Sequence, residues 1–158
     1  MSSSLSIRTA RKEDIAALSD ILIATFEQVW HPRLTGPGIE KGKDFPTRVL
    51  DYLEQYVADI YVATLDDKPL GMIHWIGDFV AALHVSPAAQ GKGVGSSLLA
   101  FAEQEIVKSH GQVRLETDSF NVQSRAFYQK HGFEEIKQYP DEEWDSGFTT
   151  ILLQKPLK

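Results

Sequence analysis

Apolar residues recur along this chain with two periods, and the alternation between them lays out a sheet covered by helices. From Lys12 to Trp30 the positions Ile15, Leu18, Ile21, Leu22, Thr25 and Phe26 fall three or four apart, the spacing of one helix face. The segment His31 to Lys43 carries Pro32, Gly36, Pro37, Gly38 and Gly42 and is expected to break regular structure. A second helix is predicted to begin near Asp44 to Pro46 and to turn Val49, Leu50, Leu53 and Val57 inward.

The period then shortens. Ser6 to Arg8 is an edge-strand candidate. Ile60 to Leu65 and Leu70 to Ile76, rich in β-branched and aromatic residues, flank Asp66 to Pro69 as a hairpin. Gly77 and Asp78 make a second tight turn into Phe79 to Val85. Helical spacing returns from Gly93 to about Ser109, followed by the run Val113 to Thr117, and strand, helix and strand together form a βαβ unit with parallel strands. Another helix is expected from Val122 to His131, with Asn121 as N-cap and Gly132 just past its end. Phe133 to Tyr139 and Thr149 to Gln154 close the sheet around the loop Pro140 to Gly147. The pattern predicts one α/β domain of the α+β type over residues 1–158. Its mixed, largely antiparallel sheet has about seven strands, one parallel junction and helices on both faces.

Composition narrows the class without changing that outline. At 158 residues, with 42% apolar and 24% charged positions, the chain has the make-up of a globular domain. No apolar run approaches a membrane span and the first ten residues lack a signal-peptide core, so a cytoplasmic protein with no membrane partner is expected. The absence of cysteine excludes disulfides, thiolate zinc sites and a cysteine nucleophile. A net charge of −6 argues against nucleic acid as a partner. The five histidines show no paired metal-site spacing, and no metal is predicted.

The most informative stretch is QGKGVGS at Gln90 to Ser96, between the end of a strand and the start of a helix. Glycines there let backbone approach a ligand, and the helix start offers unpaired N–H groups to an anion. Lys92 lies inside the turn, with Lys108, Arg125 and Lys130 as further candidate cations. The glycines Gly91, Gly93 and Gly95 are spaced by two, which fails the GxGxxG dinucleotide pattern, and no glycine followed by lysine has the P-loop context.

LHVSPAAQGKGVGSSLL at Leu83 to Leu99, with its QxxGxG turn, resembles the strand, pyrophosphate loop and helix of the GNAT superfamily of N-acetyltransferases. LETDSFNVQSRAFYQKHGF at Leu115 to Phe133 is similar to that family's next strand and helix, with Asn121, Ala126, Tyr128, Gly132 and Phe133 at matching positions. The resemblance implies the acyl-CoA N-acyltransferase fold and acetyl-CoA as cosubstrate. It implies a pyrophosphate cradle at Gln90, Gly91, Lys92, Gly93, Val94, Gly95 and Ser96. The backbone of Leu83, His84 and Val85 would run along the pantetheine arm, and Asn121, Ser124 and Tyr128 would border the cofactor. Tyr128 would protonate the departing thiolate after direct attack by an amine. Where some family members carry a glutamate early on the strand, this chain has Phe79 beside Asp78, so the base stays open among Glu116, Asp118 and His84. Phe26, Trp30, His31, His74, Trp75, Tyr139 and Trp144 are candidates for the acceptor side, with Glu116 and Asp118. The acidic loop Asp141, Glu142, Glu143 and Asp145 can attract positive charge.

The expected activity is acetyl transfer from acetyl-CoA to a primary amine of a small molecule, an amino acid or a protein terminus. The alternatives are a CoA-binding sensor of the same fold and a transferase for another acyl group. A homodimer through the terminal strands is compatible with the pattern.

Overall fold

Both hairpins close on two-residue turns, and their backbone shows why. Asp66 and Asp67 take positive φ (52° and 65°), and Gly77 does so at 61°, the conformations that match the twist of antiparallel strands across a two-residue connection. The computed structural model describes residues 5–141 and 147–158. Its seven strands are β1 (Ser6–Thr9), β2 (Tyr61–Leu65), β3 (Lys68–Ile76), β4 (Phe79–Val85), β5 (Gln112–Asp118), β6 (Glu134–Pro140) and β7 (Thr149–Pro156). They form one sheet in the order β1-β2-β3-β4-β5-β7-β6, and β4 with β5 is the one parallel pair.

Helices α1 (Ile15–Thr25) and α3 (Phe45–Tyr56) cover one face, and α4 (Val94–Ile106) and α5 (Val122–Lys130) cover the other. Leu18, Leu22, Val49 and Leu53 meet Val62 and Met72 in the first core. Leu98, Leu99 and Ala102 meet Ile73, Val113, Leu115, Ile151 and Leu153 in the second. Each fully buried leucine contributes about 2 kcal/mol by removing apolar area from water. Period-two alternation divides the strands cleanly: Met72 and Val62 face α1, while Ile73 and Ala63 face α4.

Two local readings need correction. The segment expected to break regular structure contains a short helix, α2 (Pro37–Lys43). Its breakers sit where a helix tolerates them, with Gly36 at φ 52° before the first turn and Pro37 opening it. Leu50, expected inward, is 42% exposed, because the buried stripe of α3 runs through Val49 and Leu53 and Leu50 falls one residue off it.

The feature that positions the site is the junction of β4 and β5. The two strands pair only at Phe79 with Arg114 and Val80 with Leu115, although β4 continues to Val85 and β5 to Asp118. The paired end is pinned by Asp78, which accepts from Arg114 Nε and Nη2 at 3.0 and 2.9 Å and from Gln112 Nε2 at 3.0 Å. These donors hold the Asp78 carboxyl at about 2, below the usual carboxylate range. Beyond Val80 the strands part. β5 stays paired with β7 along its length, so the β5-facing edge of β4 has no strand partner among the described residues.

Candidate active site at the open end of β4 and β5

The gap between the parted strands opens beside the glycine turn. After β4 the chain makes one tight turn at Pro87–Ala89 and enters α4 through Gly91 and Gly93, both at φ 80°. Other residues reach that conformation at a cost of about 1–2 kcal/mol. A Cβ at either position would meet nothing within 4 Å, so the outer surface of the turn is clear for a ligand. Gly95 differs, since a Cβ there would lie 3.5 Å from both Phe127 and Val85, in ordinary contact between α4, β4 and α5.

The first bond within α4 runs from Ser97 N–H to the Gly93 carbonyl at 3.0 Å. The amides of Val94, Gly95 and Ser96 therefore have no helical partner and, with the positive end of the helix dipole, can take an anion. Ser96 Oγ is paired with His131 Nε2 at 3.0 Å, which ties this helix start to the end of α5. Gln90 Nε2 reaches the Val85 carbonyl at 3.5 Å. Lys92 is exposed on the turn. Two of the expected auxiliary cations are engaged elsewhere, Arg125 with Glu135 (2.8 and 2.9 Å) and Lys108 with Glu105 (2.5 Å).

On the α4 and α5 face, Asn121 Oδ1 accepts from Ser124 N–H at 3.1 Å and caps α5 as the sequence predicts. Ser124 Oγ in turn accepts from Thr117 Oγ1 of β5 at 3.0 Å. Tyr128 lies one helical turn on, 8% exposed, with its ring edge-on to Phe127 and Phe133. Burial pushes its hydroxyl up to about 12, partly offset by a hydrogen bond with Ser124. This hydroxyl keeps its proton at neutral pH and is a donor there.

The opposite face gathers a second set. His84 pairs in register with Met72 and so faces α1, which settles the direction that alternation alone leaves open. Its Nδ1 lies 3.3 Å from Thr25 Oγ1, and burial lowers the ring to about 4, so it is neutral at neutral pH. Past Thr25 the helix widens into a π-helical segment, Phe26–Trp30, that carries Trp30 across the gap. The Trp30 ring lies edge-on to His84, with centroids 6.4 Å apart, and its indole N–H donates to the Asp118 carboxylate on β5. Burial raises the Asp118 carboxyl, opposed by the Trp30 bond and reinforced by the charges of Asp141 and Glu116. Glu116, exposed on the same face, accepts from the Tyr139 hydroxyl of β6.

The structure thus brings Trp30, His84 and Asp118 together, with Glu116 next along β5 and Tyr139 of β6 bonded to it. Three other candidates lie elsewhere. Phe26 is 5% exposed and stacks on Phe45 at 4.0 Å inside the helical layer, with His31 on its other side at 5.7 Å. His74 is 1% exposed, its Nδ1 paired with the Tyr52 hydroxyl at 2.6 Å. Trp75 stacks on Tyr61 at 5.2 Å on the other face. His74 and Trp75 line a separate cavity of about 450 Å³ with Tyr56, Asp59 and Tyr61, at the far end of β3 from the glycine turn. Trp144, Glu142, Glu143 and Asp145 lie outside the described residues. Thr25 escaped the sequence reading, because its spacing marks it as a core position of α1 and nothing local points to β4. Among the described residues no group of three or more acidic or histidine side chains is placed to hold a metal. No helix among them is long and apolar enough to cross a membrane.

A family model described as the acetyltransferase (GNAT) domain matches residues 57–135, from the end of α3 into β6. A blasticidin-S acetyltransferase from Streptomyces morookaense is 32% identical over 88 residues, 56% of this chain and 63% of that protein. The match therefore spans less than two thirds of that relative's length. An uncharacterized N-acetyltransferase from Methanocaldococcus jannaschii is 28% identical over 118 residues, 70% of this chain and 75% of its own. The crystal structure of a GCN5-related N-acetyltransferase from Rhodopseudomonas palustris superposes with a TM-score of 0.80 over 99% of both chains at 20% identity, a likeness of fold.

Proposed function

The chain belongs to the GNAT acetyltransferase family, and on that premise we propose that it transfers an acetyl group from acetyl-CoA to a primary amine. The observation that carries this reading is the parting of β4 from β5 beside an open glycine turn. The free edge of β4 accepts an extended arm in the manner of an added strand, and the turn offers amides to a pyrophosphate at the end of that arm. Both halves of the cofactor thus have a complementary surface of the right chemistry: backbone ladder for the amide-bearing arm, unpaired N–H groups for the anion.

Acetyl-CoA supplies the activated thioester. The amides of Val94, Gly95 and Ser96 bind the phosphates, with Lys92 adding charge on the same turn. The edge of β4 from Leu83 to Val85 fixes the arm, and an N–H near Val85 polarises the acyl carbonyl. Tyr128 donates its hydroxyl hydrogen bond to the leaving sulfur. A phenol raised by burial is a weak acid, so its contribution is a strong hydrogen bond with partial proton transfer rather than full ionisation. The amine enters from the face that carries Trp30, His84 and Asp118, opposite α5.

Free CoA release measured with acetyl-CoA against a panel of primary amines tests the proposal. Diamines, amino acids and peptides with free N-termini belong in the panel, and so does blasticidin S, given the name of the Streptomyces relative. Turnover with at least one amine, and N-acetylated product by mass spectrometry, is the expected result. Tight acetyl-CoA binding with no turnover on any amine contradicts it and favours a sensor.

A further inference from the structure

The proton that an attacking amine must lose needs an acceptor with a free lone pair, and three side chains on that face can offer one. Asp118 Oδ2 accepts from the Trp30 indole and Glu116 Oε2 from the Tyr139 hydroxyl, so each carboxylate is anchored through one of its two oxygens. His84 is different, and its hydrogen bonds decide which nitrogen is free. Thr25 Oγ1 has one proton, which it donates to the Leu22 carbonyl at 3.0 Å. Towards His84 Nδ1, at 3.3 Å, the same oxygen can then only accept. Nδ1 therefore carries the ring hydrogen and Nε2 carries the lone pair.

Nε2, the other ring nitrogen, has no hydrogen-bond partner among the described residues. It is not sealed either, since the one buried side-chain nitrogen or oxygen without a partner among those residues is Arg8 Nε. The unpaired lone pair thus belongs to a ring that lies edge-on to Trp30, on the strand whose free edge lines the gap.

We propose that His84 Nε2 accepts the proton of the reacting amine and that Thr25 is the positioning residue that sets the tautomer this requires. The proposal rests on the transferase reading above. As the amine lone pair forms the new C–N bond, the carbon–sulfur bond breaks. One N–H proton passes to Nε2, making an imidazolium, and the departing sulfur, hydrogen-bonded by Tyr128, takes one proton from solvent. Return of the His84 proton to solvent restores the neutral ring, so the net change is amine plus thioester to amide plus thiol. The ring need not compete with a free alkylammonium, whose first proton goes to solvent. It takes the second, which becomes strongly acidic as nitrogen commits its lone pair.

Two measurements test this on the full chain. In ¹⁵N-histidine-labelled protein, with the His84 signals assigned by their loss in His84→Gln, Nε2 should resonate as unprotonated and Nδ1 as protonated. Thr25→Val should mix the tautomers and Thr25→Ser should restore the wild-type pattern. A His84 ring protonated at Nε2 in the wild type overturns the assignment. In kinetics with an active amine, His84→Gln should lower kcat by about 100-fold or more with the acetyl-CoA Kd unchanged. Thr25→Val should lower kcat by about tenfold, and Thr25→Ser should recover most of that loss. A His84→Gln variant with kcat within about threefold of wild type, where chemistry limits the rate, overturns the proposal and leaves the transferase reading standing. A wild-type protein inactive on every amine overturns both, while the tautomer is still read from the spectrum.

Discussion

His74 and His84 sit on neighbouring strands of one sheet face, each with Nδ1 against a hydroxyl and each with a ring pKa lowered by burial. They nonetheless belong to different parts of the molecule. His74 is 1% exposed, flanked by Tyr52 and Tyr56 at 5.6 and 4.9 Å, and works as a core aromatic with one satisfied nitrogen. His84 lies where β4 has left β5, with its ring edge-on to Trp30. Burial and a shifted pKa are common to both. What separates a candidate catalytic group from a structural one here is the parting of the strands.

Substitutions can break that comparison in kinetic terms first. If the difference is functional, His84→Gln should cost about 3 kcal/mol in kcat, whereas His74→Gln should leave the kcat of the folded protein within about threefold. A comparable kcat loss from His74→Gln would mean that the far end of β3 takes part after all. The stability effects should run the other way. His74→Ala leaves a hole among Tyr52, Tyr56 and the first core and should cost about 2–4 kcal/mol by urea unfolding, more than His84→Ala at the open gap. Tyr128→Phe, on the opposite face, should lower kcat by about tenfold with little change in acetyl-CoA affinity, read in the CoA-release assay with a fast-reacting amine.

The comparison also bears on pH dependence. A histidine held at about 4 against 6.5 when unfolded binds fewer protons folded than unfolded, so its contribution to stability is full above about 6.5 and is lost as pH falls towards 4. Asp118, whose carboxyl is raised, acts in the opposite sense, because its contribution is present at low pH and lost as pH rises through the folded value. The informative quantity is therefore the difference between wild type and His84→Gln. The urea midpoint of the wild type should fall further than the variant's between pH 7 and pH 4.5, and equal falls would remove burial as the cause of the shift.

The order of elements was readable because period and turn chemistry agree: the helical stripe of α1, the Asp66–Asp67 and Gly77–Asp78 turns, and the Asn121 cap all act within a few residues. The glycine turn and the Asn121 to Phe133 segment were readable for the same reason. Helix α2 was not, because Gly36 and Pro37 mark the start of a helix as readily as the absence of one. The acceptor face was legible only in part. Trp30 and Asp118 meet across 88 positions of sequence through a widened turn, and Thr25 meets His84 across 59. His74 and Trp75 looked like neighbours of the site from their aromatic character. Strand alternation sends them to opposite faces at the end of β3 remote from the turn, and no local pattern reports which end of a strand opens.

The account turns on the glycine turn beside the gap as the place that holds acetyl-CoA, and calorimetric titration of acetyl-CoA into wild type and Gly93→Val tests this most directly. At Gly93 a side chain would project into space that nothing in the protein fills and that the bound phosphates would occupy, while also forcing an unfavourable φ of 80°. The predicted result is saturable binding by the wild type and a loss of affinity of at least roughly 100-fold in a variant whose circular dichroism is unchanged. Equal affinity in the folded variant would contradict the placement of the cofactor and, with it, the proposed transfer at the open end of β4 and β5.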